Sequence, residues 1–235
     1  MEEKLQSTII EILDESPRVK RFFLKVDDVT KFEFSPGQFV IIDFPDIDHA
    51  FPYRSYSIAS TTKNENIIEI CVVIKEDGCA SPLLFKAQVG DHYTLSLAQG
   101  KFILPQEIDR DLTFICTGTG VAPFRSMIKD IYERNIPHRN IYLYFGNRKE
   151  EDILYRKEFE ELENTYPEFH FTPILSQDQW AGANGYLHPH YLKEFQNKRD
   201  AFFYICGWTE MVREAKNNLK ALDYDRRSIK IELYD

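Results

Sequence analysis

Leu112-Thr113-Phe114-Ile115-Cys116-Thr117-Gly118-Thr119-Gly120-Val121-Ala122-Pro123 is the stretch around which this chain is organised. Residues 112–116 are apolar enough for a buried strand, and the glycines at 118 and 120 end it. Pro123 fits the first turn of a helix, where its missing N–H costs nothing. Phe124, Met127, Ile128 and Ile131 then recur at spacings of three and four, which marks one helix face. A glycine turn between strand and helix lets a ligand approach the backbone, and the helix N-terminus offers unpaired N–H groups to phosphate. The third glycine of the G-x-G-x-x-G fingerprint is missing, so by itself the turn also reads as an ordinary tight connection.

Downstream, strands and helices alternate. Residues 141–145, 169–175, 201–206 and 229–233 read as strands. Leu154, Phe159 and Leu162 mark one helix between them, and Met211, Val212, Ala215, Leu219 and Leu222 mark another. Repeated β-α-β order predicts an α/β doubly wound parallel sheet. Lys149-Glu150-Glu151-Asp152 reads as a solvated helix start, and His188-Pro189-His190 as a loop rather than a metal site. Upstream, six β-rich runs cover 7–13, 19–26, 39–44, 55–59, 67–74 and 92–97. Turn clusters such as Asp14-Glu15-Ser16-Pro17 and Ser35-Pro36-Gly37-Gln38 separate them, which predicts an antiparallel β-barrel or sandwich. The join falls near Leu104-Pro105, giving two domains, 1–104 and 105–235.

Composition narrows the function. A net charge of −9 over 235 residues argues against nucleic-acid partners, which need a basic face. No apolar run reaches the ~18 residues of a membrane span, so no membrane insertion is expected. The start, Met1-Glu2-Glu3-Lys4-Leu5-Gln6, has neither signal-peptide nor transit-peptide character, and the expected location is cytoplasmic. Cys71, Cys79, Cys116 and Cys206 form no C-x-x-C pair, so no zinc or iron–sulfur ligand set is expected.

A second motif lies in the first domain: Arg54-Ser55-Tyr56-Ser57-Ile58-Ala59-Ser60, preceded by Phe51-Pro52-Tyr53. Alternation on a strand puts Arg54 and Tyr56 on one face. A guanidinium beside an aromatic ring suits a ligand with an anionic part and a flat part. Ser57 points the other way unless the strand bulges or ends. An edge strand with a solvated arginine and a core tyrosine is the plainer alternative.

Taken together, these motifs resemble the ferredoxin–NADP reductase superfamily in its plant-type branch. Arg54-Ser55-Tyr56-Ser57 resembles the R-x-Y-S flavin motif, and Gly78-Cys79-Ala80-Ser81 the G-x-x-S turn for the FAD pyrophosphate. Residues 117–126 resemble T-G-T-G-x-A-P-F-R-S, Tyr204-Ile205-Cys206-Gly207 the Y-x-C-G strand end, and Ile231-Glu232-Leu233-Tyr234 the V-E-V-Y terminus, with Asp235 added. Five motifs in order across two domains are far more specific than any one.

The resemblance implies an N-terminal FAD-binding barrel, a C-terminal NAD(P)-binding domain, and NADH or NADPH as hydride donor. It implies that Arg54 neutralises the FAD pyrophosphate, that Tyr56 packs on the flavin or ribityl chain, and that Ser57 hydrogen-bonds near flavin N5. Cys79, Ala80 and Ser81, following Gly78, would bind phosphate through a nest-like turn, and Val72 to Lys75 would run beside the adenosine. Thr117, Gly118 and Gly120 would carry the dinucleotide, with Cys206 near the nicotinamide C4. Glu232 would join Ser57 in a polar pair able to orient or relay a proton, and Tyr234 would cover the flavin face. At Ser176-Gln177, NADP-specific relatives carry Ser-Arg, so neutral Gln177 and the following Asp178 favour NADH unless Arg148 grips the 2′-phosphate. The expected acceptor is a separate small redox protein, ferredoxin or flavodoxin. The alternatives are a reductase component of an oxygenase, a reductase of free flavin, quinone or ferric iron, or a non-turnover electron-transfer subunit.

Overall fold

The computed structural model describes residues 4–45 and 52–234, so Phe51 and Asp235 of the quoted motifs lie outside the described residues. Its contacts divide the chain into two compact units, Met1–Leu104 with Ala122–Asn135, and Pro105–Val121 with Ile136–Asp235.

The first unit holds strands β1 (Lys4–Ser16), β2 (Val19–Val26), β3 (Phe39–Asp43), β4 (Tyr53–Ser57), β5 (Ile67–Val73) and β6 (His92–Ser96), with helix α1 (Ser81–Lys86) between the last two. The β1–β2 hairpin shows why period-two sequence makes this sheet. Phe22, Leu24 and Val26 are fully buried, while the alternate residues face outward or lie at the rim. The six strands pair antiparallel, as the sequence predicts, and their order is β4-β3-β6-β1-β2-β5. A bridge from Ile58 to Ile70 ties the end of β4 back to β5, and so closes the sheet into a barrel. Ile9, Phe22, Leu24, Val40, Ile42, Ile70 and Leu95 fill it.

Helix α2 (Ala122–Glu133) groups with this barrel. It is fastened there by charge. Glu69, on β5 and 2% exposed, accepts from Arg21 Nε at 2.7 Å and from Arg125 Nη1 at 2.7 Å.

The second unit holds β7 (Asp111–Thr117), β8 (Ile141–Asn147), α3 (Arg156–Thr165), β9 (Phe169–Leu175), β10 (Ala183–Asn184), α4 (His188–Phe195), β11 (Ala201–Gly207), α5 (Thr209–Ala221) and β12 (Ile229–Leu233). The strands are all parallel, in the order β10-β9-β8-β7-β11-β12. The chain runs from β7 outward to β10, then returns to the other side of β7, so the winding reverses between β7 and β11. In open α/β sheets, ligands bind outside the strand C-termini at such a reversal. Met211, Val212, Ala215 and Leu219 of the stripe read from the sequence pack α5 on Phe203 and Ile205 of the sheet, while Leu222, the last residue of that stripe, lies just past the helix end. His188-Pro189-His190 departs from its reading as a loop. It forms the first turn of α4, where proline is tolerated, and Tyr191 and Phe195 anchor that helix in the core.

Candidate functional site: a phosphate cradle in each unit

In the barrel, β4 lies paired to β3 with Arg54 opposite Ile42 and Tyr56 opposite Val40. Arg54 and Tyr56 are half-buried while Tyr53 and Ser55 are exposed, so the pair shares a face as alternation requires. Ser57 is buried although its alternation partners are not, because the strand ends there and Ile58 turns into the bridge with Ile70. Arg54 donates through Nη1 to its neighbour's carbonyl, Tyr53 O, at 2.7 Å, and through Nη2 to Cys79 Sγ at 2.6 Å. Two motifs 25 residues apart therefore meet. Burial pushes the Tyr56 hydroxyl far above the usual tyrosine range; Arg54 opposes that shift, and Cys79 and Tyr93 add to it.

The 78–81 turn closes on itself. Gly78 N–H donates to Lys75 O at 2.9 Å, and Ser81 Oγ both accepts from Lys75 N–H at 2.9 Å and donates to Lys75 O at 3.2 Å. The Ser81 hydroxyl thus shapes the turn, and Lys75 is exposed beside it. Val72 and Ala80 have side chains in the barrel core, so what they can offer a ligand is backbone. The fit to a dinucleotide pyrophosphate is good: an arginine fork, a tight turn and an aromatic ring converge on one edge of the barrel.

In the second unit, Gly118–Val121 winds as a 3₁₀ turn out of β7. Gly118 has φ +53°, a left-handed conformation costly for other residues, and a Cβ there would meet nothing within 4 Å. Gly120 is required for the opposite reason, since its Cβ would lie 2.6 Å from Cys206 O. Cys206 stands in register with Cys116 on one side and Glu232 on the other, so one row crosses the ends of three strands. Burial raises the Cys206 thiol well above the usual range, the Glu232 carboxylate and Cys116 push the same way, and a hydrogen bond with Tyr234 opposes them. Cys206 is therefore a neutral thiol, suited to packing against a ring rather than to attack. Tyr234 is tied to the same strand end, its N–H donating to Gly207 O at 2.9 Å.

The predicted cofactor-discriminating residues also come together. Ser176 donates to Asn147 O through its N–H at 3.0 Å and through Oγ at 3.2 Å, and Gln177 N–H donates to Arg148 O at 2.9 Å. Asp178 Oδ2 accepts from Glu150 N–H at 3.0 Å. Sequence reasoning missed Asn147, whose carbonyl pins this loop, and Glu69, whose partners lie far away in the chain.

Comparison with known proteins matches an oxidoreductase FAD-binding domain to residues 6–103 and an oxidoreductase NAD-binding domain to residues 114–217. The chain belongs to the ferredoxin–NADP reductase superfamily. It is 32% identical to the phenol hydroxylase P5 protein of Acinetobacter pittii, over 97% of this chain and 65% of that protein. It is 30% identical to the anthranilate 1,2-dioxygenase electron transfer component of Acinetobacter baylyi, over 90% of this chain and 58% of that one. The chain thus spans less than two thirds of the curated relatives it matches first. A solved cytochrome P450 reductase, GcoB of Amycolatopsis, superimposes with a TM-score of 0.89 at 26% identity, over 98% of this chain and 69% of that one. Among the described residues no helix is long and apolar enough to cross a membrane, and no cluster of three or more His, Cys, Asp or Glu side chains could hold a metal.

Proposed function

We propose that this chain is a flavin-dependent NAD(P)H oxidoreductase, with FAD on residues 1–104, the nicotinamide dinucleotide on residues 105–235, and a separate electron acceptor. The observation that carries this reading is the meeting of Arg54 with the Cys79 turn, 2.6 Å apart, beside Tyr56. Bound flavin accepts two electrons as hydride and can release them singly. The protein's part is to neutralise and orient. Arg54 holds the pyrophosphate, with the N–H groups of Cys79, Ala80 and Ser81. Thr117, Gly118 and Gly120 would seat the dinucleotide, Cys206 would pack against the nicotinamide, and Tyr234 would cover the flavin face. Ser57 and Glu232 serve the proton and hydrogen-bonding needs near N5.

The acceptor we favour is a small redox protein such as ferredoxin or flavodoxin. A second reading, an oxygenase component as acceptor, is favoured by the names of the phenol hydroxylase and anthranilate dioxygenase relatives. A cytoplasmic location is proposed with either, since the NADH and NADPH pools are there.

Two measurements test the reading. Purified protein is expected to bind one FAD per chain. Arg54→Ala is expected to weaken FAD binding about 10- to 150-fold, the worth of a charge-assisted contact of ~1.5–3 kcal/mol. Tyr204→Phe, in the second unit, should keep its flavin. Release of only FMN, or of no flavin, on denaturation defeats the assignment. The second measurement is kcat/KM for NADH against NADPH. Gln177 lacks the fork that grips a 2′-phosphate, and Asp178 sits beside the acidic 150–152 turn. NADH is expected to be preferred by about tenfold or more. A strong NADPH preference that disappears in Arg148→Ala would reverse this and make Arg148 the phosphate ligand.

A further inference from the structure

Arg125 and Ser126 fall inside the stretch matched as NAD-binding, which begins at residue 114. Their surroundings point elsewhere. Ser126 is fully buried and Arg125 is 5% exposed, and both are already bonded to protein. Arg125 Nη1 donates to Ala59 O at 2.7 Å as well as to Glu69. Ser126 Oγ donates to Ser60 O at 2.6 Å. One turn further along α2, Asp130 Oδ1 accepts from Thr62 N–H at 3.3 Å and from the Thr62 hydroxyl. From the other side, Ala59 N–H donates to Glu69 O at 2.8 Å, and Ser60 Oγ accepts from Glu69 N–H at 3.1 Å. Residues 59–62 are thus gripped between β5 and α2.

That segment is the direct continuation of β4. The strand has five residues and stands at one end of the sheet order, paired along its length with β3 alone. Exposed Tyr53 and Ser55 alternate with half-buried Arg54 and Tyr56, so before Ser57 no fully buried face fixes the register of β4, and a slip of one residue would turn Arg54 and Tyr56 to the opposite face. We infer that Arg125 and Ser126 are positioning residues for the flavin strand rather than dinucleotide ligands: they fix 59–60, and so hold Arg54 and Tyr56 on the face that meets the Cys79 turn. This rests on the reading that the barrel holds FAD at those residues.

The test uses full-length Arg125→Lys and Ser126→Ala. Lysine keeps the charge but carries it on a freely rotating ammonium instead of a fixed planar guanidinium, so the two bonds that Nη1 makes, to Ala59 O and to Glu69, are held less firmly. Apoprotein is titrated with FAD, the visible circular dichroism of the bound flavin is recorded, and the FAD-loaded protein is titrated with NAD⁺. Arg125→Lys should weaken FAD about tenfold and Ser126→Ala about threefold, with altered flavin dichroism and NAD⁺ affinity within about twofold of wild type. A merely stabilising role would lower the melting temperature and leave the flavin spectrum alone. Folded variants with wild-type FAD affinity and dichroism overturn the inference, and so does weakened NAD⁺ binding, with or without weakened FAD. If Arg125→Lys does not fold, Ser126→Ala decides by the same criteria. A wild-type protein that binds no FAD overturns the flavin reading and this inference with it, a result distinct from wild-type binding with indifferent variants.

Discussion

Glu69→Ala is expected to cost about 3–5 kcal/mol of folding free energy, because it removes one side of a buried ion pair and leaves the other in place. Glu69 is 2% exposed and is bonded to two guanidinium groups, Arg21 at 2.7 Å and Arg125 at 2.7 Å. Arg21 keeps Glu15 as a partner at 3.2 Å, but Arg125 is 5% exposed and cannot turn to water without moving α2. The loss should therefore exceed that of an exposed pair, worth ~0–1 kcal/mol. Urea denaturation of the apoprotein measures it, since bound ligand would add its own stabilisation and mask the difference. A change below about 1 kcal/mol would mean that the site admits water or that the helix relaxes.

Glu69 also shows where the sequence stops being informative. In Ile67-Ile68-Glu69-Ile70-Cys71 it reads as the one outward residue of a strand, and nothing nearby says otherwise. Its partners lie 48 and 56 residues away, and which of them it meets is decided by how strands stack in the barrel. The elements themselves were readable because their periodicity is local. The strands predicted at 19–26, 169–175 and 229–233 have those same bounds in the structure. Helix α1 escapes a sequence reading because six residues hold too little pattern, and the start of α4 because His188-Pro189-His190 by itself reads as a loop. The meeting of Arg54 with Cys79 could be anticipated only by taking two motifs together, since no spacing rule brings residue 54 to residue 79. For Ser57, alternation predicts the exposed face. Its burial depends on the strand ending at that residue, a boundary of the kind that local pattern places poorly.

Ser57→Ala and Glu232→Ala are each expected to slow reduction of the bound flavin by NADH about 10²- to 10⁴-fold, the usual worth of an acid–base or orienting group at a reacting centre. The local geometry supports Glu232 in this role. It lies in register with Cys206 on the neighbouring strand, so the carboxylate and the thiol emerge on one face at the strand ends, and Cys206 lies beside the 118–121 turn. The carboxylate helps keep the Cys206 thiol protonated, which suits a residue meant to pack against nicotinamide rather than react with it. Both variants should fold and retain FAD, because neither residue belongs to the Arg54–Cys79 cradle or to the Glu69–Arg125 pair. The measurement is anaerobic stopped-flow absorbance at the flavin band over a range of NADH concentrations, which separates the limiting rate from dinucleotide affinity. The defect should lie in the limiting rate. Deleting residues 234–235 should have the opposite signature, a changed dinucleotide affinity, since the Tyr234 N–H is bonded to Gly207 O, next to Cys206 where the nicotinamide would rest. Unchanged limiting rates in both alanine variants would remove Ser57 and Glu232 from the reaction and leave Cys206 and Tyr234 to account for how the ring is presented.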